Sequence, residues 1–83
     1  MDNIFDFLRE TIAKLLVINK EEIALETSIR GEIAASSLDW MNIMSAIEKR
    51  YQLKMAWHLV KSIDTVGDLA KWVGNFQVSP AYI

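Results

Sequence analysis

Ile4, Phe5, Leu8, Ile12, Leu15 and Leu16 recur at helical spacing, and the same period returns in Met41, Met44, Ile47 and Tyr51. Two amphipathic blocks of this kind commit the chain to packing helix against helix, because each apolar stripe must be covered by another element. The first block predicts a helix from about Asn3 to Leu16. Asn3 and Asp6 stand at capping spacing there, and acids in the first turn suit the helix dipole. The second block predicts a helix from about Ser37 to Tyr51, with Ile43 beside its stripe and its methionines read as core filler. Glu48, Lys49 and Arg50 read as its solvated end, the two bases lying near the negative pole of the dipole.

Residues 17–35 fit neither block. Ile18, Ile23, Ile29 and Ile33 are too widely spaced for one amphipathic helix, so the stretch reads as a long connection pinned to the core by its isoleucines. A short helical turn near Lys20 to Ala24 is expected within it. Its glutamates, Glu21, Glu22, Glu26 and Glu32, read as a solvated face. After Tyr51, residues 56–62 suggest one or two further helical turns. A last helix begins near Asp64, where Thr65 and Asp68 have capping-box spacing. Val66, Leu69, Ala70 and Val73 form its buried face, Trp72 and Phe76 pack it, and Gly74 is its expected stop. The expected architecture is all-α: three main helices and one short helix, with a long first connection. Residues 1–76 form the domain, and residues 77–83 form a tail that is loosely ordered.

The bulk properties narrow the function by exclusion. Hydrophobic residues make up 52% of the 83, charged residues 24%, and cysteine is absent, so no disulfide framework or thiol nucleophile is available. Residues 1–48 hold nine acids against four bases, and no basic stripe with interleaved aromatics follows, which speaks against nucleic acid as a partner. Asp2, Asp6, Arg9 and Glu10 interrupt any leader-like apolar run, and no stretch approaches the roughly 18 apolar residues a membrane span needs. A cytoplasmic monomer is expected. No nucleophile–base pair or carboxylate pair emerges from the spacing, so the chain does not read as an enzyme. His58 is the only histidine and finds no second ligand, so no metal site is expected.

What chemistry remains belongs to two adjacent serines at the start of the second helix. Ser36 and Asp39 have the spacing of a capping box, which makes Ser36 the natural N-cap, its hydroxyl occupied in holding the helix end. Ser37, one residue on, has no such duty. A phosphate ester formed on Ser37 would sit beside free backbone N–H groups and the positive end of the dipole. Periodicity alone leaves open the plainer reading that both serines are caps.

The pattern Leu15-Leu16-x-Ile18, Glu21-Glu22-Ile23, Thr27-Ser28-Ile29, Ile33 to Asp39, Ile47-Glu48, Tyr51 and Ile63-x-Thr65-Val66-x-Asp68-Leu69 resembles the acyl carrier proteins. The resemblance runs without obvious gaps from about Leu8 to Val73. It implies that Ser37 receives 4′-phosphopantetheine from coenzyme A. The attached arm then brings the thiol this chain lacks and carries acyl groups as thioesters between enzymes. The implied partners are a phosphopantetheinyl transferase and the synthases, ligases and transferases that load and process the cargo. Met41, Ile43, Met44 and Ile47 become candidate linings of an acyl pocket, though the same side chains would pack a core without any cargo.

The departures from the family pattern are specific. Ser36 replaces the usual Asp before the modified serine, Ala34 replaces a common Gly, and Asn42, Lys49 and Arg50 stand where Glu is common. From Ser37 to Tyr51 the formal charge is zero, Asp39 and Glu48 against Lys49 and Arg50. Partners that read acidic carriers would gain less from this surface, which points to a specialised fatty-acid or polyketide-type pathway. Leu38, Trp40, Asn42, Trp57 and His58 are the candidate partner-facing residues; Trp40 could equally shield the arm or pack into the core. A peptidyl or aminoacyl carrier and an unmodified helical interaction module remain as alternatives.

Overall fold

The computed structural model describes residues 3–54 and 62–78. Within them lie helix α1 (Ile4–Leu16), a 3-10 turn (Lys20–Glu22), helix α2 (Ser37–Tyr51) and helix α3 (Val66–Val78). No strand forms among the described residues; one isolated antiparallel bridge joins Ser28 and Thr65. The short helix expected over residues 56–62 falls almost wholly outside the described residues, as do Trp57 and His58.

Each helix starts with a local device. Asn3 caps α1, its Oδ1 accepting from the amide of Asp6 at 2.7 Å. For α3, Thr65 Oγ1 accepts from the Asp68 amide at 3.0 Å, and the Thr65 amide donates to Asp68 Oδ2 at 3.4 Å. These contacts satisfy amides that have no partner within the helix itself. α1 stops at Val17, whose left-handed backbone (φ 55°) turns its amide back onto the Ala13 carbonyl. A β-branched residue seldom takes that conformation, and Val17 takes it almost fully exposed.

α1 packs against both α2 and α3. Leu8 and Ile12 of α1, Ile43 and Ile47 of α2, and Val66, Leu69 and Val73 of α3 are wholly buried in one continuous core. Two expectations need correction. Leu15, assigned to the apolar face of α1, is 42% exposed and lies outside the core. Gly74 does not stop α3, which continues to Val78. No described glycine takes a positive φ, and a Cβ at Gly74 would meet Ile4 Cδ1 at 3.5 Å, so the residue is a packing point against α1.

The long connection is ordered by two sets of contacts. Ile23 and Ile29 are buried, with Ile18 and Ile33 half-buried against the same core. Its backbone also clasps the start of α3. Leu25 and Thr27 carbonyls accept the amides of Gly67 (2.8 Å) and Val66 (3.0 Å), and the Ile29 amide donates to the Asp64 carbonyl (2.7 Å). Ser28 Oγ adds a bond to Asp64 Oδ1 at 2.7 Å. The glutamates of the connection are exposed, yet Glu32 is engaged, taking the Ser28 amide at 2.9 Å.

Candidate modification site at the start of α2

The connection delivers the chain to α2 through a constrained turn. The amides of Ile33 and Ala35 donate back to the carbonyls of Ser28 (2.9 Å) and Ile29 (3.0 Å). Between them Ala34 adopts a left-handed backbone, φ 58°. This is the position where the sequence comparison noted alanine in place of glycine, and the structure supplies the reason glycine suits it: no Cβ meets the backbone there.

Ser36 then caps α2 with both halves of a capping box. Its Oγ accepts from the Asp39 amide at 3.1 Å, and its own amide donates to Asp39 Oδ2 at 2.9 Å. The Ser36 carbonyl accepts the Trp40 amide at 2.9 Å, closing the first turn. Ser37 is the first helical residue and is exposed. Its hydroxyl has no hydrogen-bond partner among the described residues. The adjacent serines are thus unlike: one hydroxyl is consumed by the helix end, the other stands open beside first-turn amides and the positive pole of a helix of 15 residues.

Around Ser37 the exposed side chains of α2 carry no charge, and the one acid of the first turn, Asp39, is half-buried in the capping box. Leu38 is 64% exposed, Met41 is 52% exposed, and Asn42 is exposed. Met41 therefore lies outside the core; the buried stripe of α2 is Trp40, Ile43, Met44 and Ile47. Trp40, placed among the partner-facing candidates, is 4% exposed and part of the core. The Arg30 guanidinium covers its ring at 5.1 Å from the centroid, a contact no local sequence pattern announces. The other feature missed from sequence is Gly67, whose lack of a Cβ lets its backbone lie against the Leu25 carbonyl. Among the described residues no group of three or more His, Asp or Glu could hold a metal ion, and no helix is long and apolar enough to cross a membrane.

Fold and site together define a small all-α domain that displays one open serine hydroxyl at a capped helix start. Residues 6–73 match a protein family described as phosphopantetheine attachment site. An acyl carrier protein of Clostridium perfringens is 30% identical over 69 residues, covering 83% of this chain and 91% of that protein. Acyl carrier proteins of Wolinella succinogenes (29% over 70 residues, 84% and 92%) and Treponema denticola (27% over 77 residues, 93% and 99%) are also similar. The chain belongs to the acyl carrier family of phosphopantetheine-binding proteins. The prosthetic group of the family is covalently attached 4′-phosphopantetheine, and its members act as carriers rather than catalysts.

Proposed function

We propose that Ser37 carries the 4′-phosphopantetheine arm and that the chain presents acyl groups on it to partner enzymes. The observation that carries this reading is the division of labour between the two serines. Ser36 Oγ is held in the capping box, while Ser37 Oγ is exposed and without a partner among the described residues. The arm, when attached, supplies the thiol that holds acyl groups as thioesters. The role of this chain is to hold Ser37 in the open, with first-turn amides beside the phosphodiester.

Partner enzymes meet α2 through its exposed side chains. Leu38 and Met41, one turn apart, offer an apolar contact next to the arm. Asn42 adds no charge, and Lys49 and Arg50 make the far end basic. A surface with this polarity suits partners other than those that steer toward acidic carriers, consistent with a specialised fatty-acid or polyketide-type pathway. The partners are a phosphopantetheinyl transferase and the synthases, ligases or transferases that load and process the cargo. On this reading the carrier works as a cytoplasmic monomer.

Ile43, Met44 and Ile47 are buried against the core, so sheltering a cargo among them requires the helices to part. The test of the attachment residue is intact-mass spectrometry after incubation with coenzyme A and a broad-specificity phosphopantetheinyl transferase. One added phosphopantetheinyl group is expected, lost in Ser37→Ala and retained in Ser36→Ala. Modification that survives Ser37→Ala moves the site elsewhere. No mass gain with a competent transferase leaves an unmodified interaction module.

A further inference from the structure

The indole Nε1 of Trp40 is buried and has no hydrogen-bond partner among the described residues, and the residue as a whole is 4% exposed. A buried N–H in that condition has lost its water and gained nothing in return, which costs more than a made hydrogen bond contributes. Buried Trp usually finds a partner for this group. If the position required only apolar volume, Phe would fill much of it without stranding a donor.

The surroundings show where the ring is held. Trp40 lies one helical turn after Ser37 on α2. Arg30 covers its face, and Arg30 Nε donates to the carbonyl of Ile63 at 3.2 Å. The ring therefore occupies the seam between the first turn of α2, the connection, and the segment leading into α3. A cation over the ring face also draws electron density from the indole, which strengthens Nε1–H as a donor.

We infer that Trp40 Nε1–H is reserved for an uncharged oxygen acceptor on the chain tethered at Ser37. The acceptor is an amide carbonyl of the arm or an oxygen of the acyl cargo close to the thioester. A hydrocarbon tail offers this donor nothing. Trp40 is on this view a positioning and specificity residue for the loaded carrier. Arg30 holds the ring in place, and the carrier reading with Ser37 as attachment residue is assumed.

The test is the Trp40 indole resonance in ¹⁵N-labelled protein. It is recorded in the apo form, with the arm alone, and after transfer of butyryl- or 3-oxobutyryl-phosphopantetheine from the corresponding coenzyme A thioesters. Trp40→Phe assigns the signal; if that variant fails to fold, Trp57→Phe and Trp72→Phe assign it by elimination. Intact mass confirms each loading, so failure of the attachment reading appears there and is separate from failure of this one. The expected result is a downfield shift with hydrogen exchange slowed roughly tenfold in a modified form. Movement with the arm alone identifies its amide carbonyl, movement with both acyl groups the thioester carbonyl, and movement with 3-oxobutyryl alone the cargo's own oxygen. An indole signal identical in all four forms overturns the inference.

Discussion

The amide of Gly67 donates to the carbonyl of Leu25 at 2.8 Å, and a Cβ at Gly67 would meet that same oxygen at 2.9 Å. Alanine in place of glycine ordinarily stabilises a helix by about 1 kcal/mol. Here the clash is with backbone, which cannot swing aside as a side-chain tip can. Gly67→Ala is therefore expected to destabilise the domain by about 1–3 kcal/mol, measured by urea denaturation. A neutral or stabilising result would mean the connection does not lie on α3 as described.

The two serines should separate in stability as well as in chemistry. Loss of the Ser36 cap in Ser36→Ala is expected to cost about 1 kcal/mol. Ser37→Ala removes no contact and should stay within about 0.5 kcal/mol of the parent. Thermal melts of the unmodified variants make the comparison, and equal losses at both positions would contradict the assignment of the cap.

Ala34 is strained and exposed, with φ 58°. A left-handed backbone costs a residue with a Cβ roughly 1–2 kcal/mol, of which the added freedom of glycine in the unfolded chain returns part. Ala34→Gly is expected to stabilise by about 1 kcal/mol. The measurement is the denaturation midpoint at unchanged slope; a lower midpoint would place the residue outside the left-handed region.

An ion pair joins Lys20 Nζ to Glu10 Oε2 at 3.1 Å. That hydrogen bond and the lysine charge hold the Glu10 carboxyl below the usual carboxylate range. A lowered folded-state pKa means the pair contributes above the ordinary carboxylate pKa and loses its contribution as pH falls through the lowered value. Because Glu10 is exposed, the effect should be small and shrink with salt. In Lys20→Ala, an NMR titration should show the Glu10 pKa rising back toward the ordinary range. The stabilities of parent and variant should converge in acid.

The helix starts were legible from sequence because their devices are local. Asn3 with Asp6, Ser36 with Asp39, and Thr65 with Asp68 are each three residues apart. The stripe of α2 was read correctly at Ile43, Met44 and Ile47 and wrongly only at its first member. Counting from Met41 put that exposed side chain in the core, whereas the buried set 40, 43, 44 and 47 has the full helical spacing with tryptophan as its first member. Tryptophan's polar edge makes it equally readable as surface or core. The clasp between the connection and α3 had no sequence signature, because it is made mostly of backbone groups far apart in the chain. The role of Gly67 follows from that clasp and was hidden with it. Gly74, read as a stop, shows the reverse case: a glycine whose reason is a neighbour rather than its own backbone.

The Ser28–Asp64 bond ties residues 36 positions apart, and the stretch it closes contains all of α2. Closing a loop of that size costs about 3 kcal/mol of chain entropy before any contact across it is rewarded. The capping box of α2 needs only its nearest neighbours and can form ahead of that closure. By this reasoning the capped start of α2 is free to form early in folding, and the clasp of the connection on the start of α3 late. A change that weakens the clasp would leave the hydroxyl on an intact helix end while releasing the restraint on where that end sits.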